Sequence, residues 1–285
     1  MLKTYQFKEI KELHHLQEAV KLQMETWGKE VISSLPHLVA AIHNGGCVIG
    51  VLEDERLIGF CYGFPGISET HPKPYLVSHM MAIHPDYQNQ KLGEKLKFKQ
   101  REWAIDKGYE RMNWTFDPLE IKNGYLNLTK LGGHVKTYIK SYYGEMNDKL
   151  NKGTPSDRFL LEWELQSPVV IEASKGQKNT SPRWNNYPLF LNFSLNGEIP
   201  HAESIKKLSD ESGVLVPVPK QIQRLKKISP ETAFNWRMEI RNAVTKLLSN
   251  DYILRGVLLD TEIGYYVFEK SGVNLNESYK TLDKS

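Results

Sequence analysis

The stretch Met81-Ala-Ile-His-Pro-Asp-Tyr-Gln-Asn-Gln-Lys-Leu-Gly-Glu-Lys-Leu96 brings together residue types that suit phosphate binding. An apolar run leads into a Pro-Asp turn, a short polar loop and the start of an amphipathic helix. The loop Gln88-Asn-Gln-Lys-Leu-Gly93 therefore falls where a helix begins. A helix N-terminus presents backbone N–H groups without intrahelical acceptors and a partial positive charge, and together these hold phosphate. Gly93 lets the backbone come close to such a group. Lys91 offers an ammonium, but a lysine does not reach positive φ cheaply. The plain alternative is an ordinary turn ahead of a helix.

Other chemistry-bearing residues are sparse. Cys47 and Cys61 both lie in apolar runs, and two cysteines without a Cys-x-x-Cys spacing point to buried free thiols. His14-His15 has no further ligand in spacing and reads as a solvated pair, which argues against a metal. His84 precedes a proline and reads as structural.

The chain has 285 residues, room for one large domain or two small ones, and its 40% hydrophobic content is that of a globular protein. A net charge of +3, from 37 basic against 34 acidic side chains, makes no electrostatic case for nucleic acid or a membrane surface. The first residues lack the apolar core of a signal peptide, and no apolar run approaches membrane-spanning length. The expected setting is cytoplasmic.

The elements that must position the loop follow from periodicity. Residues 3–9 read as a strand. Ile10, Leu13, Leu16, Val20, Met24 and Trp27 recur as one helix face, ended by Gly28, and a second helix is expected over 35–43. Strands are expected at 47–52, 57–63 and 75–83, with 65–74 a loop. The helix over 92–106 puts Leu92, Leu96 and Trp103 on one side and Lys95, Lys97, Lys99 and Arg101 on the solvated remainder. Residues 111–116 read as a strand, 123–131 as a helix, and 135–143 and 159–165 as strands about a polar loop. This order predicts a mixed α/β sheet. After a boundary-like stretch at 174–187, strands are expected at 189–195 and 214–218. Ser229-Pro230 starts a helix with Phe234, Trp236, Ile240, Val244, Leu247 and Leu248 on its apolar face. Strands at 252–259 and 263–268 close the pattern. The expected domains are 1–166 and a small α/β extension, 167–285, packed on it.

Gln88 and Gly93, after Ile83-His84-Pro85, stand at the spacing of the acyl-coenzyme A loop of the GNAT N-acyltransferase superfamily, and the chain resembles that family. The family pattern is Arg/Gln-x-x-Gly-x-Gly/Ala after a strand closed by an apolar-x-Pro turn. Lys91 departs from it, standing where glycine is usual. The element order over 3–165 is also that of the GNAT fold. Trp114-Thr-Phe-Asp-Pro-Leu, Asn123, Asn127, Leu131-Gly132, Tyr142-Tyr-Gly-Glu-Met146 and Ser156-Asp-Arg-Phe159 resemble a bacterial-type branch with a C-terminal extension.

The resemblance implies roles. Gln88, Asn89, Gln90, Lys91, Leu92, Gly93 and Glu94 would cradle the pyrophosphate. Met81 and Ile83, on a strand that splays from its neighbour, would offer backbone groups to the pantetheine arm, and an N–H there would stabilise the oxyanion. Asn123 would lie near the arm. The tyrosine that protonates the thiolate in many members aligns with Leu128; Tyr125 is the substitute, or else a packing residue. Bases to accept the amine proton are His79, Glu145 and Glu162, with a structural histidine as the alternative for His79. Arg158, next to Asp157, would bind a carboxylate of the acceptor or acyl group, or close a loop-to-strand salt bridge.

The expected protein is an N-acyltransferase that passes an acetyl or succinyl group from acyl-CoA to a small primary amine, an amino acid among the candidates. Attack is direct, since neither cysteine is flanked as an acyl-enzyme nucleophile. No metal is expected, and a homodimer is compatible with the chain. The rival is a non-catalytic acyl-CoA sensor or scaffold. A nucleic-acid-associated modifier would draw on Lys91, Lys95, Lys97, Lys99 and Arg101, a run that reads more simply as a solvated face.

Overall fold

The computed structural model describes residues 4–68, 71–144 and 154–272. In chain order the first half holds β1 (Gln6–Glu9), α1 (Leu13–Trp27), α2 (Leu35–His43), β2 (Cys47–Glu53), β3 (Arg56–Ser68), β4 (His71–Ile83), α3 (Leu92–Asp106) and β5 (Arg111–Phe116). Then follow α4 (Ile121–Gly124), a π-helical turn (Tyr125–Lys130), β6 (His134–Ile139), β7 (Arg158–Glu164) and α5 (Pro168–Ser174). The remainder is β8 (Leu191–Asn196), β9 (Ile199–Ile205), β10 (Gly213–Pro219), α6 (Ile222–Ile228), α7 (Pro230–Leu248), β11 (Tyr252–Leu259) and β12 (Ile263–Lys270). This is the mixed α/β architecture that the alternation predicts.

The chain divides into two compact units. Among the described residues the first takes 4–114 and 162–174, and the second takes 115–144, 154–161 and 175–272. Both β5 and β7 contribute residues to each unit. Contact units of this kind are a different division from sequence domains at 1–166 and 167–285.

In the first unit β1, β2, β3 and β4 pair antiparallel in sequence order, and β5 joins β4 parallel. Residues Cys47 to Leu52 of β2 are all buried, because helices cover both faces of that strand. Against one face, Leu16, Ala19 and Leu22 of α1 and Leu38 of α2 pack on Val48, Phe60, Tyr62 and Ala82. On the other, α3 turns Leu92, Leu96, Gln100 and Ala104 inward.

Three expectations are corrected here. The buried face of α1 is His15, Leu16, Ala19, Leu22 and Gln23, while Leu13 is 59% exposed. His15 is therefore not a solvated residue; its Nε2 is hydrogen-bonded to Glu55 O at 2.9 Å. Residues 65–68 and 71–74 are strand and not loop, since the hairpin continues through Pro65↔Leu76 and Gly66↔Tyr75. Pro65 is tolerated because β2 begins opposite Gly63, leaving β3 without a β2 partner beyond that point.

In the second unit β6, β11, β12 and β10 are successive antiparallel neighbours, and β8 and β9 form a separate hairpin. The expected helix at 123–131 is instead a short α-helix running into a π-turn. β9 and α6 are additional elements. α7 starts at Pro230 as expected, but the Ser229 side chain makes no cap bond to the backbone; its Oγ pairs with Thr232 Oγ1 at 2.7 Å. α7 buries Trp236, Ile240, Val244 and Leu247, and Trp236 Nε1 donates to Pro200 O at 2.8 Å. Phe234, expected on that face, is 45% exposed.

Candidate active site

The expected cradle forms a strand-to-helix turn in the first unit. β4 ends at Ile83, a 3-10 turn covers Pro85–Tyr87, and α3 begins at Leu92. Asn89 and Lys91 are left-handed, at φ 61° and 59°. Asparagine visits this region readily, whereas lysine pays about 1 kcal/mol. Lys91 thus adopts the costly conformation that its side chain argues against. Alternating handedness turns successive N–H groups toward one side, the geometry of an anion nest. The first α-helical bond of α3 runs from Lys95 N–H to Lys91 O at 3.2 Å, so the Leu92 and Gly93 N–H groups lie in the turn that lacks intrahelical acceptors. Lys91 and Lys95 are exposed there, and Glu94 is the acidic residue of the first turn.

The loop is held from behind. Tyr5 OH donates to Gln90 Oε1 at 2.7 Å, Gln88 Nε2 donates to Ile83 O at 3.3 Å, and the buried Tyr87 bonds Glu53. A Cβ on Gly93 would come no nearer than 3.5 Å, to Met81 Cε, so no neighbour in the chain demands glycine. The N–H groups of the first turn, the exposed Lys91 and Lys95 and the space above Gly93 are the features that suit an anion. The residues present therefore fit a pyrophosphate.

β4 also forks. Its ladder with β5 comprises Leu76↔Met112 and Val77↔Asn113, and Met81 and Ile83 lie beyond it, half-buried, paired to Cys61 and Gly59 of β3. Between Tyr62↔Met80 and Gly63↔Ser78 the register slips, which leaves His79 as a bulge. The exposed His79 ring stands edge-on to Phe64 and Tyr62, with centroids 5.8 and 6.3 Å away. Desolvation by these neighbours, followed by His37, lowers its pKa. It is thus a neutral imidazole at neutral pH.

The remaining expected residues belong to the second unit. Asn123 is exposed on α4, and Tyr125 opens the π-turn half-buried. Leu128 is fully buried, so it touches no substrate. Arg158 and Asp157 are not each other's side-chain partners. Arg158 Nη1 donates to Asp157 O at 2.9 Å, lies 3.7 Å from Asp117 Oδ2, and the guanidinium stacks 5.3 Å from the Tyr143 ring centroid. Asp157 accepts from Arg241 at 2.8 and 2.6 Å, from Tyr138 OH at 2.6 Å and from Ser141 N–H at 2.9 Å. Burial pushes this carboxyl up, but the Arg241, Tyr138 and Ser141 bonds outweigh it and leave the pKa lowered. Asp117 in turn accepts two bonds from the fully buried Arg237, both at 2.7 Å.

Arg237 and Arg241 escape the sequence reading, although their i,i+4 spacing beside the Trp236–Ile240–Val244 stripe is a usable signal. Lys97 is also missed: it is 3% exposed, not solvated. Glu162 is half-buried on β7, and Glu145 lies outside the described residues. Both cysteines are buried free thiols, with Cys61 pushed up by burial to about 12. Among the described residues no group of three or more His, Cys, Asp or Glu could hold a metal, and no helix is long and apolar enough to cross a membrane.

No curated protein matches the chain. Three solved structures illustrate its likenesses. One is an aminoglycoside acetyltransferase from an uncultured soil metagenomic sample, in complex with trehalose: 17% identical, 42% of this chain and 82% of that one, TM-score 0.38. Another is the ribosomal-protein-S18-alanine N-acetyltransferase of Escherichia coli: 13% identical, 57% and 96% covered, TM-score 0.46. The third is a candidate acetyltransferase from Salmonella typhimurium with its cofactor acetyl-CoA: 14% identical, 57% and 95% covered, TM-score 0.47. The sequence description of the acetyltransferase (GNAT) family matches residues 16–122, the span from the first turn of α1 to α4 that includes the β4-to-α3 turn, the fork and His79. Residues 16–122 of this chain are thus similar to the acetyltransferase (GNAT) family.

Proposed function

We propose that the chain is an acyl-CoA-dependent N-acyltransferase that passes an acetyl or succinyl group to a small primary amine, with amino acids among its acceptors. The observation that carries this reading is the joining, in one unit, of a forked strand to a helix N-terminus with alternating left-handed residues. Gln88 to Glu94 hold the pyrophosphate through backbone N–H groups, and Met81 and Ile83 meet the pantetheine arm. Asn123 and Arg158 are assigned to the arm and to a substrate carboxylate. The amine nitrogen attacks the thioester carbonyl carbon, His79 accepts the amine proton, and the C–S bond breaks to release coenzyme A. A thiolate leaves readily, so the reaction does not depend on an acid from Tyr125, which remains the candidate for that role.

Titration calorimetry with acetyl-CoA, succinyl-CoA and free coenzyme A tests the donor site. Micromolar binding supports it, and failure of all three to bind ends the reading. The buried Leu128, at the position of the family's tyrosine, favours a second reading as a non-catalytic acyl-CoA sensor. Amine-dependent release of free thiol, followed with a thiol-reactive dye over a panel of amino acids and polyamines, removes that alternative. Its absence with a binding-competent protein establishes it.

A further inference from the structure

The β4–β5 ladder stops at Val77↔Asn113, and the next residue on each strand touches one and the same side chain. Lys97 Nζ, on α3, donates to Ser78 Oγ at 2.7 Å and sits 3.4 Å from the Trp114 ring centroid. Gln100 Oε1 accepts from Lys97 at 3.4 Å and from Ser78 Oγ at 2.7 Å, and Trp163 lies 5.8 Å from the ammonium. A buried lysine is costly, and the usual remedy is a carboxylate partner. Here, among the described residues, no carboxylate is among the bonds and electrostatic partners of Lys97. The groups that face it are Cys47 on β2, Cys61 on β3, Ser78 on β4, Trp114 on β5, Trp163 on β7 and Gln100 on its own helix. Burial keeps both thiols protonated, so neither supplies a counter-charge.

A methionine would fill this space without the desolvation cost. What the ammonium adds is a directed bond to β4 and an attraction to the aromatic face of β5, both at the first residues past the ladder. We propose, on the basis of the acyl-CoA reading above, that Lys97 is a positioning residue whose ammonium fixes Ser78 against Trp114 and so presets the opening that receives the acyl-CoA arm. Burial pushes Lys97 down to about 7, while the Trp114 face favours the charged form. On the acid side the ammonium spans the fork. On the alkaline side the neutral amine keeps the hydrogen bond to Ser78 but loses the attraction to Trp114.

The test is calorimetric titration of the full chain with acetyl-CoA at about pH 6 and about pH 9, on either side of the Lys97 transition. The wild type is expected to bind about threefold or more tighter at the acid pH, on the order of the energy of one cation–π contact. Lys97→Met is expected to bind at the weaker, alkaline level at both values. Trp114→Leu keeps the lysine, removes the aromatic face, and is expected to flatten the same pH response; it serves if the Met variant does not fold. Denaturant unfolding of the ligand-free protein gives a second readout. Because the folded pKa is depressed, Lys97 makes the wild type gain stability as pH rises from about 7 toward the unfolded value of about 10.4, and Lys97→Met lacks that gain. If a folded variant keeps the wild-type pH response in binding, the positioning role is overturned while the acyl-CoA reading stands. If the wild type binds acetyl-CoA at neither pH, both fall.

Discussion

Glycine at a helical position costs up to about 1 kcal/mol against alanine, and Gly93 has space for a Cβ above Met81. We therefore expect Gly93→Ala to leave stability unchanged or raise it, in thermal unfolding, while acetyl-CoA affinity falls in calorimetry. A parallel loss of both would mean that the glycine serves the fold. His79 supports a second expectation. Its pKa lies below the ordinary value, so it is the neutral, proton-accepting form at pH 7, and the acid-side fall in acyl transfer should come as pH drops through that lowered value. His79→Gln should be slower and lose that acid limb in kcat/KM profiles. At this scale the strand-to-helix turn proposed as the cradle was legible because loop, glycine and helix start are contiguous in sequence. Lys97 was not, because an ammonium beside an apolar stripe reads as solvated, and the groups that justify its burial, Ser78 and Trp114, arrive from two other strands.

Elements with a long periodic signal matched the sequence reading: α3, α7 and the β11–β12 pair. Those that did not match have local causes. Pro200 argued against a strand at β9, although Asn196-Gly197 in front of it is a hairpin signal, and Gly197 does take a positive φ of 61°. The π-turn at Tyr125–Lys130 has a periodicity that a 3.6-residue reading does not register. α7 also carries the cations that neutralise two carboxylates of its unit. Removing one member of a buried pair leaves the other charge unpaired, at a cost of about 3–5 kcal/mol, whereas replacing both is far milder. We expect Arg237→Met to lower denaturant stability by that order, and the double change with Asp117→Asn to recover much of the loss. Equal losses in the single and double variants would show that the pair does not couple.

The two compact units are each assembled from separated stretches of chain, and the second draws on residues both before and after 166. A fragment ending at 166 would keep Asp117 and Asp157 but lose Arg237 and Arg241, which hold them. It would also lose β11 and β12, leaving β6 without its Val135↔Leu254 bridge. We expect such a fragment to lack a cooperative unfolding transition by circular dichroism; a sharp transition matching the full chain's would show that 1–166 is an independent folding unit. The sequence division at 166 was drawn from a change in composition, and composition carries no record of which distant segments share a core.

The bulge at His79 works as a parity bit in β4. In an uninterrupted strand, residues 78 and 80 would point the same way. Here Ser78 faces α3 while Met80 packs with the α1 and α2 side, because their partners on β3, Gly63 and Tyr62, are adjacent and His79 is the extra residue between them in β4. If the bulge were ironed out with every residue kept, regular alternation would send Ser78 and Leu76 to the opposite layer; deleting residue 79 instead restores a regular ladder with both facings unchanged. Substitutions at 79 change chemistry, but losing the bulge while keeping the residue would rewrite the identity of two surfaces at once. The register offset at this bulge is therefore under a constraint that the individual residues of the strand do not display.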